Sequence, residues 1–248
     1  MRYLKLTVAY RGTNYCGWQV QANQLSVQQV LETAFTKITG EKNRLTASGR
    51  TDAGVHAIGQ VVSVVTATKI PNRNLVKGLN ANIPRDISVL SVEDAPERFH
   101  AIRDAKRKRY RYRLQTGPVA DPLDQELIWH VSYPLDVPAM TLAAGELVGE
   151  HDFACFQAAG ADRKSTIRTI YDCQFSECES TPFRKLHFEI EGNGFLYNMV
   201  RNIVGSLVEV GRGKQTPNWI AELIRSKDRK RAGQTAPAKG LFLVSVDY

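Results

Sequence analysis

Cysteine is scarce in this 248-residue chain, and the cysteines that occur lack the spacings used by metal sites. They are Cys16, Cys155, Cys173 and Cys178, with no C-x-x-C pair among them. This pattern argues against a zinc site and against a disulfide framework, because both use closely spaced or regularly paired cysteines. We therefore expect reduced thiols, no bound metal and a cytoplasmic protein.

Long apolar runs and cofactor motifs are also missing. No apolar stretch approaches the roughly 20 residues that cross a bilayer, and residues 1–5 lead directly into a strand pattern. We therefore expect neither a membrane span nor a secretory signal. Residues 211–216 resemble a phosphate-binding loop, but Val208 occupies the position of its first glycine, so we expect a helix end there.

Negative charge is outweighed by positive charge, which is concentrated in two segments. The chain has 33 Lys and Arg against 25 Asp and Glu, a formal charge of +8. Residues 98–113 carry eight basic side chains against the single acid Asp104, and residues 225–231 carry five more. Tyrosines alternate with the arginines of the first segment, as in surfaces that stack bases beside phosphates. The charge indicates an anionic partner, most simply a nucleic acid.

The apolar periodicity predicts two α+β halves. In the first, it predicts strands at 4–10, 58–65 and 87–92, a helix between Ser26 and Gly40, and a helix over 72–80. In the second, it predicts strands at 106–114, 170–175, 186–190 and 241–246, with helices starting at Pro138, after Gly194 and after Pro217. We place the boundary at Asp104, so that halves of residues 1–104 and 105–248 would meet at a cleft.

The most distinctive segment is S-G-R-T-D-A-G-V-H-A, residues 48–57. It groups Arg50, Asp52 and His56 around two glycines, directly before a buried strand pattern. Asp and Gly are ordinary turn residues, but a loop on a rigid strand is also where proteins present reactive side chains. Further motifs follow: R-F-H-A at 98–101, R-Y-R-Y at 109–112, G-F-L-Y-N-M-V-R-N-I-V-G at 194–205 and P-A-K-G-L-F-L at 237–243.

Together, and in this order, these motifs resemble the TruA family of tRNA pseudouridine synthases, from Leu4 to the end of the chain. The resemblance implies the pseudouridine synthase fold, an α+β fold. Its two RRM-like or ferredoxin-like halves share a central mixed, mainly antiparallel sheet, with the active-site cleft between them. The implied reaction converts uridine to pseudouridine at positions 38, 39 and 40, in the anticodon stem-loop of tRNA. The resemblance also implies a homodimer. No cofactor is expected, because the reaction involves neither redox change nor net hydrolysis.

The resemblance assigns the chemistry to three residues. Asp52 would be the nucleophile, attacking either C1′ of the ribose or C6 of the base. Arg201 would pair with it, because an arginine opposes the rise in carboxyl pKa that a dry pocket causes. The target base must leave the RNA stack to be reached. Tyr110 would pack on that base, and whether it also removes the C5 proton is open.

Further residues are expected to bind the substrate. By resemblance, Arg50 would guide or replace the flipped base and Leu241 would lie beneath it. We expect Arg107, Arg109 and Arg111 to contact tRNA phosphates because they belong to the basic segment.

Two other functions would explain part of this pattern, and two further polar residues have simpler structural roles. A non-catalytic RNA-binding module would explain the charge and Tyr110, but not Asp52 in its glycine-framed loop. A zinc-dependent base deaminase requires H-x-E together with P-C-x-x-C, and the sequence lacks that combination. We expect His56 to be structural and Asp152 to be a hydrogen-bonding residue at a helix end.

Overall fold

The computed structural model describes residues 1–160, 165–178 and 182–248. The chain separates into two compact units, residues 1–106 with 242–248, and residues 107–241. The predicted α+β class is confirmed, because both units combine helices with mainly antiparallel strands. The domain division at Asp104 stays a prediction. In the compact units, the last strand of the chain is grouped with the first unit.

The helices and strands follow the predicted order, with three short strands that the periodicity did not indicate. The strands are β1 Arg2–Tyr10, β2 Thr46–Ala47, β3 His56–Thr66, β4 Ile87–Asp94, β5 Arg107–Thr116, β6 Trp129–Val131, β7 Gly149–Asp152, β8 Ile167–Cys178, β9 Arg184–Gly192 and β10 Leu241–Asp247. The helices are α1 Val27–Thr39, α2 Asn72–Asn80, α3 Val137–Gly145, α4 Met199–Gly211 and α5 Trp219–Ser226. The missed strands, β2, β6 and β7, contain two to four residues, too few to show a period.

Local signals set the ends of α1. The Ser26 side chain accepts a hydrogen bond from the Gln29 backbone N–H at 3.2 Å, which satisfies a donor that the first turn leaves open. Gly40 ends the helix in the left-handed conformation, with φ of 76°. The helix end expected at 211–216 is likewise confirmed, because α4 ends at Gly211.

The first unit is built on a sheet in the order β4-β1-β3-β10. Strands β4 and β3 run antiparallel to β1, and β10 runs parallel to β3. Leu4, Leu6 and Val8 alternate along β1 and are completely buried, as period-two patterning requires. Strand β3 therefore lies inside the sheet, and the loop of residues 48–55 leads directly into it.

The second unit has the strand order β5-β9-β8-β7, all antiparallel, with β6 parallel to β5. Its buried positions alternate along β9, where Leu186, Phe188 and Ile190 are shielded from solvent. Helix α4 is buried along nearly its whole length. Among the described residues, no helix combines the length and apolarity needed to cross a membrane.

Candidate active site

The Asp52 loop joins β2 to β3 and is held by close backbone contacts within the first unit. The Trp18 N–H donates to the Thr51 carbonyl at 3.0 Å. Gly17 makes this approach possible, since its φ is 100° and a Cβ there would lie 2.3 Å from the Thr51 oxygen. A Cβ on Gly12 would similarly meet the Val55 carbonyl at 1.9 Å. The loop is therefore packed against backbone on both sides of Asp52.

Within this loop, side chains differ sharply in exposure. Ser48 and Thr51 are buried, Asp52 is half-buried and Arg50 is exposed. A half-buried carboxylate on an anchored loop can reach a substrate while losing part of its hydration. Arg50 can reach a bound molecule from the same loop.

A buried hydrogen-bond network lies beneath the loop, and sequence reasoning missed it. Gln60 on β3 donates from Nε2 to the Gly49 carbonyl at 2.9 Å, and its Oε1 accepts from Ser48 Oγ at 2.7 Å. The Tyr10 hydroxyl and Thr51 Oγ1 are 2.8 Å apart. The available signal was a glutamine inside an otherwise apolar strand pattern.

His56 has the structural role expected of it. Its Nδ1 accepts a hydrogen bond from the Gly12 N–H at 2.9 Å, and its ring stacks on Phe242 with centroids 4.7 Å apart. The imidazole is almost completely buried. It therefore fixes the start of β3 and is not offered to a substrate.

In the second unit, two of the sequence motifs come into contact. Tyr110 on β5 packs edge-to-face with Phe195, with ring centroids 5.0 Å apart and planes at 81°. Tyr110 is largely buried, with 9% of its surface exposed. Phe195 belongs to the motif at residues 194–205. The contact shows that it supports the Tyr110 ring.

Arg201 lies in the first turn of α4, and its guanidinium is held by two acceptors. Its Nε donates to the Ala236 carbonyl at 2.7 Å and its Nη1 to Asn198 Oδ1 at 2.9 Å. Asn198 precedes the helix in the left-handed conformation, with φ of 57°. Arg201 is therefore an oriented, half-buried cation rather than a mobile surface charge.

Leu241, the residue expected beneath the base, is buried at the start of β10. It follows the 3-10 turn Ala238–Gly240. A Cβ on Gly240 would lie 2.6 Å from the Tyr112 ring, whose hydroxyl donates to the Pro237 carbonyl at 2.7 Å. The turn therefore packs against Tyr112 on β5, and this packing fixes the position of Leu241.

Arg107, Arg109 and Arg111 lie on the face of β5 opposite Tyr110, because successive side chains of a strand alternate. The structure therefore separates these cations from the Tyr110 ring, although they are neighbours in the sequence. Tyr112 is buried on the same face of β5 as Tyr110.

Each of these arginines is paired with a glutamate of β9. Arg107 Nη1 and Arg109 Nη2 lie 3.1 and 2.7 Å from Glu191 oxygens, and Arg111 Nη2 lies 2.6 Å from Glu189 Oε1. Hydrogen bonds from Arg109 and Arg107 lower the pKa of Glu191. We call these five side chains the arginine ladder. Its glutamates were missed because their pairing depends on the register of two strands distant in sequence.

Asp152 is a hydrogen-bonding residue, as expected, but it ends strand β7 rather than a helix. It accepts from the Ala154 N–H and the Thr166 hydroxyl and pairs with Lys227 at 2.9 Å. In the described part of the chain, no group of three or more His, Cys, Asp or Glu side chains is arranged to hold a metal ion.

The geometry can be compared with known proteins. The family model described as tRNA pseudouridine synthase matches residues 6–103 and 143–248. These ranges include Arg50, Asp52, Arg201 and Leu241, whereas Tyr110 lies between them.

Curated relatives match over the whole chain. Proteins called tRNA pseudouridine synthase A from Thermoanaerobacter sp. (strain X514) and Pelobacter propionicus are 46% and 48% identical to it, and each alignment covers 100% of both chains. A relative of the same name from Myxococcus xanthus is 44% identical over 100% of this chain and 92% of its own length.

Proposed function

The chain belongs to the tRNA pseudouridine synthase family, which consists of isomerases, and from that premise we propose that it modifies the anticodon stem-loop. The targets would be uridines 38, 39 and 40 of tRNA, and the enzyme would act as a cytoplasmic homodimer without a cofactor. What supports the proposal most is Asp52, half-buried in a loop that backbone contacts hold on both sides.

The reaction detaches and reattaches the same base. The N1–C1′ bond of the target uridine breaks, the uracil rotates, and a new bond joins C5 to C1′. The C5 proton is then removed and reaches solvent, while N1, freed from the ribose, takes up a proton, so that the product is an isomer of uridine. We propose Asp52 as the nucleophile, at either C1′ or C6, because a carboxylate can form and release a covalent adduct without any other reagent.

Arg201 and Tyr110 have complementary proposed roles. Arg201 would keep the Asp52 carboxyl ionised in the bound state, and its two acceptors support this role by orienting the guanidinium. Tyr110 would pack on the flipped uracil. We also propose that Tyr110 removes the C5 proton, because Asp52 is bound in the covalent adduct when that step occurs.

The remaining proposed contacts bind and order the RNA. Arg50 would occupy the space that the flipped base leaves, and Leu241 would lie beneath the uracil. The cations of the arginine ladder would contact phosphates, and their separation from Tyr110 implies that they bind a part of the tRNA distant from the target base.

The test uses tRNA transcripts carrying tritium at C5 of uridine. The chain should release tritium from a transcript with uridine at positions 38–40, and should release none when those three positions are cytidine. Release from the cytidine transcript would contradict the proposed target region. No release from any tRNA would favour a non-catalytic RNA-binding module, since binding alone leaves C5 unchanged.

A further inference from the structure

The side chain of Gln60 is completely buried, with Val61 and Val62 beside it in β3. Burying a carboxamide costs free energy unless its donors and acceptor find hydrogen-bond partners. An apolar β-branched residue would fill a strand interior without that requirement. The polarity of this position therefore serves something other than packing.

The partners of Gln60 lie in the segment that leads into Asp52 and in the strand beneath it. Besides its bonds to Ser48 and Gly49, Gln60 Nε2 donates to the Tyr10 hydroxyl at 3.4 Å. That hydroxyl lies 2.8 Å from Thr51 Oγ1. Two strands thus hold Ser48, Gly49 and Thr51 by side-chain hydrogen bonds from below.

The Tyr10 hydroxyl acts in this network as a neutral group. Burial raises its pKa to about 12, an effect that its hydrogen bonds with Thr51 and Gln60 only partly oppose. It therefore keeps its proton at neutral pH. Tyr10 is almost fully buried, so its hydroxyl serves the loop and not a substrate.

We propose that Gln60 and Tyr10 are positioning residues for Asp52. Their hydrogen bonds fix the backbone path from Ser48 to Thr51, which sets where the Asp52 carboxylate stands when the uridine binds. This inference rests on the proposed function, in which Asp52 is the nucleophile. A misplacement of about 1 Å can slow an enzymatic step by about 100-fold, so a network under the loop can control the rate without touching the RNA.

Gln60→Met is the principal test, because methionine has a similar length and none of the polar groups. Single-turnover tritium release should slow by about 10- to 100-fold, while the Kd for tRNA stays within about two-fold of wild type. Tyr10→Phe removes only one hydroxyl and should slow the same step by a smaller factor. It also keeps the proposal testable if Gln60→Met fails to fold.

Gln60→Glu adds a second measurement, the pH dependence of the rate, which a loss of packing would not change. The introduced carboxylate can accept from Ser48, but it cannot donate to the Gly49 carbonyl until it is protonated. Its rate relative to wild type should therefore rise as the pH falls. A ratio independent of pH would contradict a role for the donated hydrogen bond.

Gln115 offers a matched control in the other unit. Its buried carboxamide donates to the Val119 carbonyl at 2.7 Å and accepts from the Asp121 N–H at 2.9 Å. Gln115→Met should lower the Tm much as Gln60→Met does, yet leave the single-turnover rate within about two-fold of wild type.

The outcomes separate the two proposals. If the wild-type chain releases tritium and Gln60→Met is equally fast, positioning by Gln60 is wrong while the proposed function stands. Equal slowing in Gln60→Met and Gln115→Met would also overturn the positioning proposal, because the slowing would then be an effect of lost stability. If the wild-type chain releases no tritium, the proposed function itself fails.

Discussion

Removing the two carboxylates of the arginine ladder should make tRNA binding tighter and more sensitive to salt. The ladder's three guanidiniums and two carboxylates leave a formal charge of +1, and Glu189→Gln with Glu191→Gln would raise it to +3. Each neutralised phosphate contributes about 0.9 to the slope of log K against log salt, so the slope should steepen by about 1.8. Between about 50 and 200 mM salt, that amounts to an additional loss of about twelve-fold in affinity.

The reciprocal variant shows how far the pairing reduces the ladder's effect. Changing Arg107, Arg109 and Arg111 together to Gln takes the ladder's formal charge from +1 to −2. Only the +1 that the glutamates leave uncompensated is available to phosphates in the parent, so the slope should flatten by about 0.9. Three independent cations would instead lower it by about 2.7. The difference between these values tests whether the glutamates mask the arginines in solution.

Filter binding of tRNA over a salt series measures both effects, with Asp52→Asn in every protein so that no turnover occurs. Glu177→Gln is the control, because it removes one carboxylate from the ion pair with Arg184, outside the ladder. Slopes that equal the parent's would refute the reasoning. A change in slope per removed charge no larger than that caused by Glu177→Gln would also refute it. The ladder would then act only through the overall charge of the protein and not through phosphate contacts.

Three further outcomes follow from individual contacts. Tyr110→Phe and Tyr110→Leu should both show a severe loss in single-turnover rate. Tyr110→Leu should also lose a stacking contribution of roughly 1–3 kcal/mol to binding. A rate for Tyr110→Phe within a few-fold of wild type would leave Tyr110 as a stacking surface only. Ser26→Ala should lower the free energy of unfolding by about 1 kcal/mol in urea, and no change would show that the α1 cap is not needed. Hydrogen bonds from Thr166 and Lys227 hold the pKa of Asp152 below its ordinary value of 3.8, so its stabilising contribution is present above that value and is lost as the pH falls through the lowered pKa. The stability gap between wild type and Asp152→Asn should therefore shrink as the pH falls below 3.8, and a constant gap would contradict this.

The elements that sequence reasoning predicted well are those set by local signals. Helix α1 has its cap at Ser26 and its stop at Gly40, and α2 has the predicted bounds 72–80. The short strands were missed because a strand of two to four residues exists only through its partner. Pairing partners lie outside the window in which periodicity is visible.

The candidate site shows the same limit. The Asp52 loop stands out in the sequence because its unusual residues are contiguous. Gln60 did not, because its role depends on which backbone atoms fold over it. The opposite faces of Tyr110 and Arg109 could have been predicted from strand alternation alone. The pairing of Arg109 with Glu191 could not, since it needs the register of β5 with β9.

The most direct measurement is tritium release from C5-labelled tRNA by wild type and Asp52→Asn, with tRNA affinity measured on the same preparations. A nucleophile is needed for chemistry, whereas affinity comes mainly from phosphate contacts. The wild-type chain should release tritium, and Asp52→Asn should release none above a heat-killed control while its Kd stays within about two-fold. Measurable pseudouridine formation by Asp52→Asn would remove Asp52 from the mechanism and contradict the account.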